Sequence, residues 1–198
     1  MSSTNRHNAS KRHVADYYVT PQWCIRDFMT AFLEDFENDF IGLRKYGCNL
    51  IILDPCAGGD EYHEMSYPAV LNAMLGCNVT TIDIREDIRA NIKRDFLEMS
   101  LPDYDIVITN PPFNIAMDII RKAMSVTQEH GYIIMLLRLN FLGSKARKPF
   151  FDEFLPEYIY VHNRRMSFTD DGVTDSIEYA HFVWRKDYKP KFSKLRII

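Results

Sequence analysis

Neither of the glycine signatures that cradle linked phosphates is present. No G-x-G-x-x-G and no G-x-x-x-x-G-K-[ST] occurs in the 198 residues. The first absence disfavours a dinucleotide fold and the second excludes a P-loop nucleotidase. Cysteine is scarce. Cys24, Cys48, Cys56 and Cys77 form no C-x-x-C pair, and no two histidines stand at metal-ligand spacing, so four free thiols are expected rather than a metal centre. No apolar run is long enough to cross a bilayer. The opening MSSTNRHNASKRH is polar and basic, without the apolar core of a signal peptide, so a cytoplasmic location is expected. Positive charge is not in excess either. The formal net charge of −3 leaves any nucleic-acid contact to local basic patches. There is no internal repeat and no long Gly/Ser-rich or Pro-rich linker.

What remains is an ordinary globular composition, 46% hydrophobic and 26% charged, of a size that one core can organise. Residues 1–16 read as a flexible tail, and 17–198 as a single domain. Thr20-Pro21 reads as a helix start, with threonine at the N-cap and proline in the first turn. Ile25, Phe28, Met29, Phe32, Leu33 and Phe36 then follow at helical spacing. Short apolar strands alternate with helices beyond it. Strands are expected at Leu50–Leu53, Val79–Ile82, Ile106–Thr109 and Tyr132–Leu137. Helices are expected at Tyr67–Leu75 and at Ile115–Val126, the latter capped by Asn114. Fully apolar strands separated by helices predict an α/β fold, a mostly parallel sheet covered on both faces. Tyr158–Val161 and Ile177–Trp184 are predicted to add an antiparallel C-terminal edge.

Three strand ends carry polar residues followed by backbone breakers: Asp54-Pro55-Cys56-Ala57-Gly58-Gly59, then Asp83, then Asn110-Pro111-Pro112-Phe113. Ligands of open α/β sheets bind at the carboxyl ends of strands. Gly58-Gly59 permits close backbone approach. Asp83 is placed to accept from ribose hydroxyls, or else to cap a helix beginning near Glu86. A nucleoside without a pyrophosphate fits such a set. Two consecutive prolines stiffen their loop and remove two N–H donors. Asn110, extended because a proline follows, adds an amide acceptor, and Phe113 a flat apolar surface. Acceptors beside an aromatic ring suit a planar group bearing an NH₂.

Asn110-Pro111-Pro112-Phe113 resembles the catalytic loop of S-adenosylmethionine-dependent amino-methyltransferases, and Asp54–Gly59 resembles their cofactor loop. Tyr18-Val19-Thr20-Pro21 is similar to the additional cofactor motif of DNA adenine-N-6 methyltransferases. Asp95-Phe96 resembles their acidic-aromatic pair, and Arg165 to Trp184 looks like small phage-encoded members. The resemblance implies a Rossmann-like class I methyltransferase that moves a methyl group from S-adenosylmethionine to the amino group of adenine in DNA. Tyr18, Thr20, Pro21, Asp54, Cys56, Ala57 and Gly58 would line the methionine side of the cofactor. Asp83 would hold the ribose, and Asp95 and Phe96 the adenine. Asn110, Pro111, Pro112 and Phe113 would form the catalytic loop, with Asn110 and Pro111 gripping the target amino group and Phe113 stacking on the base.

The sequence departs from that pattern twice. Asp60 stands where the cofactor loop often has a further glycine. Only 85 residues follow Phe113, which leaves no room for a separate target-recognition domain and points to low or loop-encoded specificity, or to a partner chain. Lys145, Arg147 and Lys148 in one loop, and Arg164 and Arg165 in another, are the candidate phosphate contacts, with a solvated charge cluster as the alternative. RNA adenine methylation, cytosine amino methylation, protein glutamine methylation and a non-catalytic cofactor-binding subunit stay open as other readings. His63, His130, His162 and His181 form no recognisable catalytic grouping and are read as structural or exposed.

Overall fold

The computed structural model describes residues 19–37, 49–169 and 172–198. The tail expected over 1–16, Tyr18 and Cys48 lie outside them. Eight strands form one sheet: β1 (Ile52–Asp54), β2 (Val79–Asp83), β3 (Ile92–Lys93), β4 (Tyr104–Thr109), β5 (Thr127–Arg138), β6 (Tyr158–Val161), β7 (Tyr179–Arg185) and β8 (Lys194–Ile197). Their order is β3-β2-β1-β4-β5-β7-β6-β8. Every pairing is parallel except those of β7, which runs antiparallel to both β5 and β6. The carboxyl ends of β1, β2, β4 and β5 therefore open on one side of the sheet.

The period-two alternation of strand side chains fills two cores. Ile106 and Ile108 of β4, with Ile134 and Leu136 of β5, face helices α1 (Gln22–Asp35) and α2 (Ser66–Leu75). Val107, Ile133, Met135 and Leu137 face α3 (Ala116–Ser125) and α4 (Lys148–Glu153). Helix α1 buries Ile25, Phe28, Met29 and Phe32, each contributing roughly 1.5–3 kcal/mol by leaving water. Among the described residues no helix is long and apolar enough to cross a membrane.

Several local expectations shift. Helix α1 starts at Gln22 with Pro21 at the N-cap and no side-chain cap, because the Thr20 hydroxyl accepts from Asn110 instead. Helix α3 likewise has Ile115, not Asn114, at its N-cap. There the Pro112 carbonyl accepts the Ile115 N–H at 3.2 Å, so the proline loop itself opens the helix. The segment after Asp83 forms bends rather than a helix. Cys24 and Cys56 are free thiols, whereas Cys77 is disulfide-bonded, contrary to the expectation of four free thiols. Strand β8 was not expected from the sequence. Its Arg196 reaches the C-terminal turn of α1, 2.7 Å from Glu34 and 3.0 Å from Asp35, and Asp35 also accepts from the Tyr160 hydroxyl at 2.8 Å.

Two buried histidines close the first core. His162 Nε2 lies 2.8 Å from His181 Nδ1, and His181 Nε2 lies 3.0 Å from the Tyr67 hydroxyl. Burial pushes His162 down to about 4 and His181 well below its ordinary value, so both rings are neutral near pH 7. This agrees with a structural role.

Candidate active site

The loop after β1 is shaped by hydrogen bonds across to β2. The Ala57 N–H donates to the Ile82 carbonyl at 3.0 Å, and the Gly58 N–H to Asp83 Oδ2 at 2.9 Å. Gly58 and Gly59 sit at φ 60° and 77°, the left-handed region that favours glycine. A Cβ on Gly59 would meet the Met65 side chain at 2.7 Å. Asp83 Oδ1 accepts the Arg85 N–H at 3.0 Å, so both of its oxygens already hold backbone. Asp60 turns the chain by accepting from the Tyr62 and His63 N–H groups, each at 2.8 Å, and it lies 2.9 Å from the His63 ring.

Asp54 ends β1 and is 1% exposed. Its Oδ1 accepts the Cys56 N–H at 3.3 Å, and the Thr109 hydroxyl on the adjacent strand end bears on its carboxyl. Burial pushes this carboxyl up to about 7, because the charged form has lost its water. On the adjacent strand end, Asn110 Oδ1 is buried without a hydrogen-bond partner. Strands β1 and β4 pair directly, so this oxygen and the Asp54 carboxyl stand at neighbouring strand ends. Buried polar atoms ordinarily find partners, and an orphan acceptor at the carboxyl end of a strand is a candidate for a ligand's donor.

Asn110 is oriented by its other end. Its amide nitrogen donates to Thr20 Oγ1 at 3.0 Å, which fixes the amide and leaves Oδ1 as the function without a partner. Thr20 is held in turn. The Val19 N–H donates to the Phe168 carbonyl at 3.3 Å, which ties the segment before α1 to the loop between β6 and β7. Pro111 is buried, and Pro112 and Phe113 are half-buried. Asp95 Oδ1 accepts the Leu97 N–H at 2.9 Å at the start of a 3-10 turn, and Phe96 is buried against the second core.

A second set of groups surrounds Phe113, and sequence reasoning missed it. The Arg138 guanidinium sits 4.6 Å from the Phe113 ring centroid. Arg138 Nε donates to the Tyr179 hydroxyl at 3.2 Å, and that hydroxyl donates to Asp175 Oδ2 at 2.6 Å. The one available signal was a lone arginine closing the apolar run Tyr132–Leu137.

The basic candidates divide. Arg147 donates to the Asn140 and Phe141 carbonyls and packs over the Phe141 ring, so it holds its own turn. Lys148 pairs with Asp152, and Arg165 lies 3.7 Å from Glu178. Lys145 and Arg164 are exposed, and Arg164 rests over the Trp23 ring at 4.6 Å. Both lie in loops that follow the carboxyl ends of β5 and β6.

No protein-family model matches the chain, and no curated protein matches its sequence. Solved structures do share its fold. A Listeria monocytogenes protein proposed to be a class I S-adenosylmethionine-dependent methyltransferase superposes with a TM-score of 0.61 at 15% identity. That match covers 91% of this chain and 65% of the Listeria protein. PH1948 of Pyrococcus horikoshii, proposed to be an RNA methyltransferase, superposes at 0.60 with 14% identity, covering 91% and 94% of the two chains. The type IIG restriction endonuclease BpuSI matches at 0.53 and 15% identity, over 71% of this chain and 23% of its own. The chain thus spans just under two thirds of the Listeria protein. At these identities the likeness establishes the Rossmann-like class I methyltransferase fold.

Proposed function

We propose that this chain binds S-adenosylmethionine and methylates the exocyclic amino group of adenine in DNA. The observation that carries the reading is the oriented amide of Asn110. Its nitrogen is held by Thr20, and its oxygen is buried without a partner at the strand end next to that of the buried Asp54 carboxyl. A ligand that brings a cation to Asp54 and an amino group to Asn110 satisfies both.

The residues fit the cofactor. Asp54 offers a buried carboxyl for its ammonium or sulfonium charge, and Gly58 offers a backbone without a side chain. Asp83 keeps lone pairs on both carboxylate oxygens for the ribose hydroxyls, since each oxygen accepts two hydrogen bonds. On this reading Asp95 takes the adenine, with Phe96 behind it in the second core, and Thr20, Pro21, Cys56 and Ala57 complete the methionine side; Tyr18 lies outside the described residues. When bound, S-adenosylmethionine supplies a methyl group activated by a sulfonium centre. The chain does the rest by positioning. Asn110 Oδ1 and the Pro111 carbonyl accept the two amino hydrogens and draw nitrogen lone-pair density out of the base plane. Pro112 keeps the loop rigid, and Phe113 stacks on the base. A base within a duplex must first leave the stack, at about a few kcal/mol. Lys145 and Arg164 supply phosphate contacts, and Arg147, Lys148 and Arg165 act through the turns and ion pairs that hold those loops.

The test is transfer of labelled methyl from S-adenosylmethionine to unmethylated DNA and to RNA, side by side, with nucleoside analysis of the product. N-6-methyladenine from DNA, reduced about a hundredfold or more in Asn110→Ala with cofactor binding retained, supports the reading. Product from RNA alone moves the activity to RNA. A cytosine or glutamine product changes the acceptor. Cofactor binding without transfer to any acceptor makes the chain a cofactor-binding subunit of a larger assembly.

A further inference from the structure

Phe113 closes the proline loop and is held by groups from distant parts of the chain. It touches both hydrophobic cores, and the planar guanidinium of Arg138 lies over one face of its ring at 4.6 Å. Stacking a base on a phenyl ring requires one open face in a fixed plane. A guanidinium on the opposite face sets that plane and adds cation–π attraction.

Arg138 is itself held from two directions. It ends β5, and Tyr179, which begins β7, is its direct cross-strand partner. The Tyr179 hydroxyl accepts from Arg138 Nε at 3.2 Å and donates to Asp175 Oδ2 at 2.6 Å, and Asp175 also stands 3.6 Å from Arg138 Nη2. Asp175 belongs to the loop between β6 and β7, where its N–H donates to the Met166 carbonyl at 2.8 Å. That loop carries Arg164 and Arg165, and its Phe168 carbonyl anchors the segment before Thr20. One carboxylate thus joins the loop bearing the basic residues to the ring beside the amide.

We infer that Arg138, locked by Tyr179 and Asp175, is a positioning residue that fixes the plane of the Phe113 ring on which the target base is placed. The inference rests on the functional reading above and deepens it. The guanidinium does two things at once, since its plane covers the ring while its Nε bonds Tyr179. A lysine ammonium does one or the other. The network contacts neither Asp54, Asp83 nor Asp95, so it acts on the base and not on the cofactor.

The experiment compares wild type with Arg138→Gln, Arg138→Lys and Tyr179→Phe. It measures kcat, KM for DNA, the cofactor Kd, and the fluorescence rise of an oligonucleotide with 2-aminopurine at the target position. Tyr179→Phe keeps the ring packed on Phe168 and removes only the hydroxyl, which guards against a variant that fails to fold. The expected result is a tenfold or greater fall in kcat/KM for Arg138→Gln. Arg138→Lys recovers only a minor part, Tyr179→Phe falls between, the fluorescence rise shrinks in the same order, and the cofactor Kd stays within twofold. Wild-type transfer with kcat/KM and fluorescence unchanged in Arg138→Gln and Tyr179→Phe overturns the inference alone. A parallel loss of cofactor affinity also overturns it, because the cluster is then general scaffold. No transfer by the wild-type chain overturns the functional reading, and this inference with it.

Discussion

Replacing Asp54 by asparagine isolates the electrostatic cost of burying its carboxyl. Burial raises the carboxyl from 3.8 to about 7, so between those values the folded chain holds a proton that the unfolded chain has released. A raised carboxylate pKa contributes stability that is complete below about pH 4 and is lost as pH rises through 7. A shift of about three pH units corresponds to about 4 kcal/mol over that window, the upper value for a site that does not relax. Asparagine has nearly the same shape and no charge to ionise, and the Thr109 hydroxyl, which already bears on the Asp54 carboxyl, can turn to pair with its amide. The wild-type minus variant difference in unfolding free energy is therefore expected to fall by up to about 4 kcal/mol between pH 4 and pH 8, with all other titrations cancelling. The assay is urea unfolding of both proteins at matched pH values. S-adenosylmethionine brings positive charge to the carboxylate, so its stabilising effect on the wild type is expected to grow across the same window and to vanish with binding in Asp54→Asn. A difference that stays flat from pH 4 to pH 8 refutes the reasoning. It would mean that Asp54 is ionised throughout.

Thr20→Val keeps the shape of the segment before α1 but frees the Asn110 amide to rotate. It is expected to lower kcat about tenfold, with the cofactor Kd little changed, as steady-state kinetics and calorimetry will show. Gly59→Ala forces a Cβ to 2.7 Å from the Met65 side chain at φ 77° and should cost about 1–3 kcal/mol in denaturant unfolding, together with cofactor affinity. Arg196→Ala removes the tie between β8 and α1 and should raise hydrogen exchange in β8. It should change global stability by under about 1 kcal/mol, since the ion pairs are largely exposed.

The sheet was legible because its strands are buried on both faces. Ile106–Ile108 and Tyr132–Leu137 read as strands without reference to anything distant, and the polar residues closing them marked the ligand side. Helix α1 was legible from its apolar stripe, but its first turn was not. Thr20 reads as a cap from sequence because nothing local shows that its hydroxyl is claimed by Asn110, 90 residues away. The same holds for Asn114, displaced by the carbonyl of Pro112. Strand β8 was missed because it is only four residues long and its apolar side, Leu195 and Ile197, is largely exposed. Arg196 faces Glu34 and Asp35 of α1, and Lys194 the Tyr158 hydroxyl of β6. Among the site residues, Asp54, Gly58, Asp83 and Asn110 come together as the strand order requires. Arg138, Tyr179 and Asp175 were invisible because an antiparallel strand inserted between β5 and β6 brings them to Phe113, and no spacing along the chain encodes that.

The way these groups are held bears on what the folded chain gives up before a ligand arrives. Asp83 spends both oxygens on Gly58 and Arg85, Asp95 caps its own turn, and Thr20 fixes the Asn110 amide, so most of the site is assembled without a ligand. What is left open there is Asn110 Oδ1, with the buried Asp54 carboxyl on the neighbouring strand end. Each buried polar atom without a partner costs about 1–3 kcal/mol, an appreciable part of the 5–15 kcal/mol that holds a domain folded. A ligand whose donors meet these atoms recovers that cost without moving the backbone. Binding should therefore tighten β1 and β4 at their carboxyl ends far more than it reshapes them. Hydrogen exchange with and without S-adenosylmethionine should show protection concentrated at residues 54–59 and 109–113, while β6 and β8 remain as they were.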